Sequence, residues 1–250
     1  MNVSALIWHQ VFETMALVLG ARYYAALKAR AGEPGLLAPG GFAVAAGCLL
    51  GAAIGNKAAF WLQVPDLFLQ HWREPLTLLI GGQSVVGGLV GGLIGVELAK
   101  KLAGVRRSTG DRFVFPLLLG IAIGRIGCFI AGLQDDTFGI ATTLPWGIDF
   151  GDSVRRHPTQ LYEIVFCGVL AAALYVAQST LADRPGLLFK LFLSSYLAWR
   201  LAIDSLKPVP FPFPSGLSGI QWLCLLTLLL YLPLTLRQFR SPAPVSALAA

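Results

Sequence analysis

Charged residues are scarce in this sequence. Only 13% of its 250 residues are Asp, Glu, Lys or Arg, whereas hydrophobic residues make up 56%. A soluble domain normally carries about 25% charged residues. The mean hydropathy of +0.69 points the same way. These values exclude an ordinary soluble domain and indicate a polytopic membrane protein.

Cysteine and histidine are also rare, with four and three residues respectively. The cysteines stand singly in apolar runs, with no CxxC pair and no neighbouring histidine: Cys48, Cys128, Cys167 and Cys224. This spacing gives no sign of a disulfide framework or a metal-binding motif. We therefore predict four small packed side chains, and neither a metal nor a cofactor.

The sequence lacks a cluster of basic residues, although its net charge is +6. Lys and Arg are spread over short connections between apolar segments, as membrane orientation requires, so no nucleic-acid partner is expected. Residues 1–20 contain no Lys or Arg. The charged start of a secretory signal peptide is thus missing, and we expect none.

Long apolar runs are abundant, and a spanning helix needs about 20 such residues. The predicted fold class is all-α, a polytopic membrane protein with seven transmembrane helices in one domain, residues 1–240. Residues 241–250 are predicted to be a disordered tail. The seven predicted spans are Val3–Leu27, Phe42–Val64, Leu76–Leu98, Phe113–Leu133, Pro158–Leu181, Leu187–Leu206 and Leu217–Leu236.

Basic residues in the connections predict the orientation, because cytoplasmic loops are enriched in Lys and Arg. One side carries ten of them and the other only four, so the N-terminus is predicted outside and the C-terminus in the cytoplasm. The loop 134–157 then faces outward. The ten are Lys28, Arg30, Lys100, Lys101, Arg106, Arg107, Arg112, Arg184, Arg237 and Arg240; the four are Arg73, Arg155, Arg156 and Lys207.

Glycines recur every four residues in the third predicted span, at Gly87, Gly91 and Gly95. Small residues at this spacing let two helices approach closely, which is the simpler interpretation. A second interpretation concerns the outer end, where glycines surround Gln83 and Ser84. There the helix could break and direct backbone N–H groups toward an anion.

Ionisable residues inside the spans are functional candidates, since burying charge in a bilayer is costly. Arg125, Glu163, Arg200, Asp204 and Lys207 all fall in the outer half of the predicted bilayer, the last three on one helix face. Two interpretations remain open. They form an ion-pair network that pins helices together, or the arginines bind a phosphate while the acids orient them.

These residues carry a resemblance to prolipoprotein diacylglyceryl transferases, seven-span bacterial inner-membrane enzymes. The most specific matches are Gly124-Arg125-Ile126-Gly127 and His157-Pro158-Thr159-Gln160-Leu161-Tyr162-Glu163. The resemblance implies transfer of the diacylglyceryl group of phosphatidylglycerol to a lipobox cysteine of a preprolipoprotein, with release of glycerol phosphate. It implies catalytic roles for Arg125, Arg200, Glu163 and His157. Its implied substrate-binding residues are Asp204, Lys207, Gln160, Tyr162, Gly139, Ser84, Gln83 and Asp136.

The sequence also departs from the family pattern. The histidine of the family's GGxSFHGG segment is Val86 here, its GNF asparagine is Cys128, and a following glutamate is Leu133. Lys57 is a possible substitute for an arginine of the second span. Without the histidine, Asp135, Asp136 or His157 is left as the general base, or the acceptor is not the usual thiol. The alternatives are a paralogue that uses the same donor with another acceptor, and a lipid- or lipopeptide-binding protein without catalysis.

Overall fold

The computed structural model describes residues 3–32 and 40–241, and the side chains of residues 3–6 are left aside. The chain is mostly helical, as predicted. The predicted disordered tail lies outside the described residues from position 242 onward. The nine described helices are α1 (Val3–Arg30), α2 (Gly41–Gln63), α3 (Pro65–His71), α4 (Pro75–Ile80), α5 (Val85–Leu102), α6 (Val114–Ala131), α7 (Thr159–Ala177), α8 (Leu187–Ile203) and α9 (Gly219–Arg240).

Each of the seven predicted spans contains one long helix, but only part of the set meets a length and hydropathy test for crossing a membrane. Within the described residues, four segments do so: Gly41–Gln63, Asp111–Gln134, Thr159–Ala177 and Gly219–Arg240. The helix α8 has 17 residues, fewer than the roughly 20 of a straight span. These four segments support a membrane protein, and the seven-span count remains a proposal.

The third predicted span, Leu76–Leu98, is not one continuous helix. It divides into α4 and α5, separated by the extended segment from Gly81 to Ser84. Ser84 is the N-cap of α5, and its hydroxyl accepts a hydrogen bond from the Gly87 N–H at 3.2 Å. Lys57 of α2 donates to the carbonyl oxygens of Gly81 and Gly82. These bonds satisfy backbone groups that the break exposes.

The glycines of α5 pack against a matching series in α2. Gly55 lies against Gly87, Gly51 against Gly91 and Gly47 against Gly95, so a Cβ at any of these positions would collide with the facing backbone. The two helices are therefore antiparallel and in backbone contact. This arrangement confirms the close-packing interpretation.

The helix α8 supplies the centre of the core. Tyr196, Phe192, Leu193 and Leu197 are fully buried, in a cluster with apolar residues of α5, α6, α7 and α9. The helix α9 packs alongside α8, and α7 packs on α6. Because neighbouring helices surround α8, its polar side chains can be satisfied by protein rather than by lipid.

The loop between α6 and α7 is folded onto one end of the helices. It contains a two-stranded antiparallel sheet of β1 (Ile148–Asp149) and β2 (Arg155–Arg156). The Ile140 N–H donates to the carbonyl oxygen of Leu206 at 2.8 Å, beyond the end of α8. The Thr159 hydroxyl, in the first turn of α7, donates to the carbonyl oxygen of Thr137 at 2.6 Å. The loop is thus anchored to the ends of α7 and α8.

Candidate active site

Glu163 of α7 lies between two arginines from neighbouring helices. Its Oε2 accepts from Arg125 Nε of α6 at 2.8 Å and from Arg200 Nη1 of α8 at 3.1 Å. Its Oε1 accepts from the hydroxyl of Tyr196, one turn before Arg200 on α8. Glu163 is fully buried, and each arginine is 7% exposed. One carboxylate therefore fixes the positions of both guanidinium groups.

The second carboxylate of the group holds Arg200 from the other side. Asp204 Oδ1 accepts from Arg200 Nη2 at 2.7 Å, and its Oδ2 accepts from the Ser218 hydroxyl at 3.1 Å. Ser218 caps α9, together with Gln221 in a reciprocal capping box. The position of Arg200 is consequently set by α7, by its own helix end and by the start of α9.

Lys207 adds a third positive charge near this cluster. It does not continue the face of α8 as predicted, because α8 ends at Ile203 and a 3-10 turn follows over Asp204–Leu206. Lys207 comes after this turn in extended conformation. Burial, Arg200 and Arg125 lower its pKa to about 7. With three cations and two carboxylates, the fully charged cluster has a net charge of plus one, which an anionic ligand would neutralise.

Among the described residues of α7 and α8, three buried side-chain atoms lack a hydrogen-bond partner. Nε of Arg200 and Nε1 of Trp199 are donors, and Oε1 of Gln160 is an acceptor. Gln160 is 1% exposed, and its amide nitrogen donates to the Thr137 hydroxyl at 3.3 Å. Buried polar groups are normally paired. Arg200 Nε and Gln160 Oε1 therefore keep an unused donor and an unused acceptor inside the protein.

Gly139 lies where the loop contacts His157 and the turn that follows α8. Its N–H donates to the carbonyl oxygen of His157 at 2.9 Å. A Cβ at this position would meet the His157 Cβ at 2.5 Å and the Leu206 carbonyl oxygen at 2.9 Å. Only glycine fits here, because the loop backbone at Gly139 packs directly against His157 and the turn after α8.

The sequence profile described as "Prolipoprotein diacylglyceryl transferase" matches residues 4–237. A relative from Bordetella avium is 34% identical over 71% of this chain and 69% of its own length. A relative from Methylobacillus flagellatus is 35% identical over 72% of this chain and 69% of its own length. Both are named phosphatidylglycerol–prolipoprotein diacylglyceryl transferase. The chain belongs to the prolipoprotein diacylglyceryl transferase family.

Family membership confirms the resemblance that the motifs indicated. The structure shows where the charged residues of these motifs lie. Arg125, Glu163, Arg200 and Asp204 form one ion-pair network. Within it Arg125 pairs with Glu163 and Arg200 with Asp204, and Arg200 makes an additional bond to Glu163. Both interpretations of these charges are therefore compatible with the geometry, since the acids that pin the helices also orient the arginines.

His157 and Tyr162 form a separate group with Trp146 of the loop. His157 Nδ1 lies 3.2 Å from the Tyr162 hydroxyl, which also accepts from Nε1 of Trp146 at 2.7 Å. Among the described residues, no hydrogen bond or ion pair connects this group to Arg125, Glu163 or Arg200. Its geometry suits loop positioning, and the catalytic role predicted for His157 stays a prediction.

The segment around Gln83 and Ser84 takes part in helix packing between α2 and α5. The Ser84 N–H donates to the Asn56 side chain at 2.7 Å, and Gln83 is exposed. Val86, which replaces the family's histidine, is 1% exposed within the apolar core. At this position the chain has an apolar core side chain and no titratable group.

Sequence reasoning missed the first helix as a contributor to the site. His9 Nε2 lies 3.3 Å from Asp135 Oδ1 and 3.8 Å from Cys128 Sγ. Cys128 in turn accepts from Arg125 Nη1 at 3.6 Å. His9 lies at the outer end of the first predicted span, at the depth assigned to Arg125. This shared predicted depth was the sequence feature that could have indicated a contact between the first helix and the site.

Proposed function

We propose that this chain is a seven-span inner-membrane transferase that moves the diacylglyceryl group of phosphatidylglycerol to a prolipoprotein cysteine thiol. Its N-terminus would face outward and its C-terminus the cytoplasm. The observation that carries the proposal is the pair of buried arginines held by Glu163 and Asp204 in one network. The curated relatives carry the name of this activity.

The arginines suit the leaving group of this reaction. A cysteine thiolate attacks the carbon of the diacylglyceryl unit that is bonded to the phosphate oxygen. A C–S bond forms as this C–O bond breaks, and its electron pair leaves with the glycerol phosphate. Negative charge develops on that phosphate. Guanidinium groups bind phosphate oxygens in a fixed geometry, and groups oriented in advance stabilise such charge without reorganising.

The unpartnered Nε of Arg200 and Oε1 of Gln160 are suited to the same ligand. The first would donate to a phosphate oxygen. The second would accept from a glycerol hydroxyl. Lys207 would add a further cation beside the headgroup. These contacts favour an anionic headgroup that carries hydroxyl groups.

A second candidate is a paralogue that uses the same donor with another acceptor. Val86 favours it, because the position of the family's histidine is occupied by a core side chain. Leu133, in place of the family's glutamate, points the same way. The donor site is the same in both candidates, so the acceptor decides between them.

One assay separates these activities. Purified protein is incubated with labelled phosphatidylglycerol, with and without a lipobox peptide, and both products are identified by mass. A thioether peptide supports the leading function, and donor consumption without peptide modification supports the paralogue. Binding without turnover would indicate a lipid-binding protein. Unchanged donor turnover in Arg125→Ala and Arg200→Ala would overturn the assigned site.

A further inference from the structure

We propose that His9, Cys128 and Asp135 form a binding site for a zinc-class divalent metal ion. One ligand atom of each residue lies within 4.8 Å of the other two. The residues come from α1, the end of α6 and the loop that follows it. Imidazole nitrogen, thiolate sulfur and carboxylate oxygen are the donors that zinc selects in proteins.

Hydrogen bonding alone does not account for this cluster. The same nitrogen, His9 Nε2, faces Asp135 Oδ1 at 3.3 Å, Glu13 Oε1 at 3.6 Å and Cys128 Sγ at 3.8 Å. One imidazole N–H has one proton, so it can satisfy only one of three acceptors. A charge-assisted N–H···O bond is normally about 2.7–2.9 Å long, shorter than either nitrogen–oxygen distance here.

The distances fit the edges of a coordination tetrahedron instead. With zinc–nitrogen and zinc–oxygen bonds of about 2.0–2.2 Å and zinc–sulfur bonds of about 2.3 Å, neighbouring ligand atoms lie roughly 3.3–3.6 Å apart. The spacings of His9 Nε2 from Asp135 Oδ1 and Cys128 Sγ are close to this range, and Asp135 and Cys128 offer ligand atoms within 4.8 Å of each other. A cation between these atoms would satisfy all of them at once.

Charge also favours a cation. Among the described residues, the basic side chains in contact with these groups are His9 and Arg125, and Arg125 is ion-paired with Glu163. A divalent ion would balance the carboxylate of Asp135 and a thiolate at Cys128. Glu13 contacts only His9 among these residues and its side chain is 37% exposed, so the fourth position is left to another molecule.

Neighbouring residues already hold the ligands in place. The Thr137 hydroxyl donates to Asp135 Oδ2, which leaves Oδ1 directed toward His9. Arg125 donates to the Cys128 sulfur at 3.6 Å, a contact that holds this ligand atom in place. Such outer contacts orient ligands and raise metal affinity by about 10- to 100-fold. Cys128 therefore contacts both the proposed metal position and Arg125, which binds the phosphate in the proposed function.

A site with three protein ligands leaves one position for a substrate group. If the proposed function is correct, that group is the acceptor thiol. Coordination would release its proton to water and present a thiolate beside the phosphate site. This role rests on the proposed function, whereas the metal site itself does not.

The test measures metal directly, without substrate. Full-length protein is purified in detergent, dialysed against chelator-treated buffer, and loaded with Zn²⁺ or Co²⁺. Elemental analysis is expected to give about one ion per chain. The cobalt form is expected to show tetrahedral visible absorption and a thiolate charge-transfer band. His9→Gln and Asp135→Asn should lose the bound ion, Cys128→Ser should lose the charge-transfer band, and Thr137→Val should bind about 10- to 100-fold more weakly.

Matched controls use a cysteine and a histidine outside the cluster. Cys48→Ser in α2 and His71→Gln in α3 should bind the ion as the parent protein does. An absence of bound ion and of the cobalt thiolate band in the folded parent protein would overturn the proposal, as would unchanged binding in Cys128→Ser. Donor turnover is measured separately, so a failed metal site and a failed transferase function give different results.

Discussion

Arg125 and Arg200 donate to the same atom, Oε2 of Glu163, from two different helices. Two buried cations so close to each other would repel strongly without this carboxylate. The shared oxygen therefore makes the two arginines one unit. Their spacing is set by α7, and a phosphate that binds both would meet a geometry fixed before it arrives.

We expect Glu163→Gln to be strongly destabilising. The amide keeps the shape of the side chain but removes the negative charge that both arginines contact. Removing one partner of a buried ion pair typically costs about 3–5 kcal/mol. The measurement is thermal unfolding of the purified variant in detergent, with donor turnover measured in parallel.

Glu97→Gln is the matched control for that substitution. Glu97 lies on α5 with its side chain 59% exposed, and its partner is Lys100 at 2.9 Å. An exposed pair of this kind contributes about 0–1 kcal/mol. Equal melting temperatures for the two variants would show that Glu163 does not hold the arginines together.

Arg200→Lys is expected to lower kcat for the donor by about 10²- to 10³-fold, the usual cost of removing one oriented group that stabilises developing charge. Arg200 contacts Glu163 through Nη1 and Asp204 through Nη2, and its Nε has no hydrogen-bond partner among the described residues. A lysine ammonium cannot reproduce this planar arrangement. Steady-state kinetics with phosphatidylglycerol separate kcat from KM. A change confined to KM would contradict a role in the transition state.

Gly139→Ala should impair both stability and turnover. The added methyl group would lie 2.5 Å from the Cβ of His157 and 2.9 Å from the carbonyl oxygen of Leu206, so the loop would have to move away from α8. Limited proteolysis of the loop and donor turnover are the measurements. We expect faster cleavage within residues 134–157 and lower activity.

Gly168→Ala in α7 is the control for the glycine substitution. A Cβ at this position meets nothing within 4 Å. Alanine also has a higher helix propensity than glycine, by about 1 kcal/mol. This variant should therefore be as stable as the parent protein or slightly more stable. An equal loss of activity in both variants would exclude the loop contact as the cause at Gly139.

The charged residues of the site were predictable because burying a charge in an apolar segment is energetically costly, so such charges mark functional or paired groups. Arg125, Glu163, Arg200 and Asp204 were identified in this way, and the structure brings all four together. The contribution of His9 was not predictable from spacing, since 119 residues separate it from Cys128. Only the packing of α1 on α6 brings them into contact.

The interruption between α4 and α5 illustrates a different limit. Hydropathy treats Leu76–Leu98 as one apolar run, because glycine hardly lowers the mean. The chain nevertheless leaves the helix at Gly81, where Lys57 and Asn56 of α2 bind the released backbone groups. Glycine content indicated that a break was possible. The side chains that stabilise it belong to another helix, so local sequence could not decide it.

Lys207 should make donor binding depend on pH near neutrality. It lies beyond the end of α8, and burial and the two arginines lower its pKa from 10.5 to about 7. As pH rises through 7, folded Lys207 loses its proton and the cluster loses one positive charge, so KM for phosphatidylglycerol should rise. The unfolded chain stays protonated up to about pH 10.4. Because it binds more protons in the window from about 7 to 10, the stability of the free protein should increase with pH there.

Two variants test whether Lys207 is the titrating group. Lys207→Arg stays protonated throughout this window, so its KM should remain low as pH rises. Lys207→Met carries no charge at any pH, so its KM should be high and flat. Donor KM measured from pH 6 to about 9 across the folded pKa compares the three proteins. If the Lys207→Met variant keeps the pH dependence of the parent protein, another group is responsible, and Lys207 contributes no charge to the donor site.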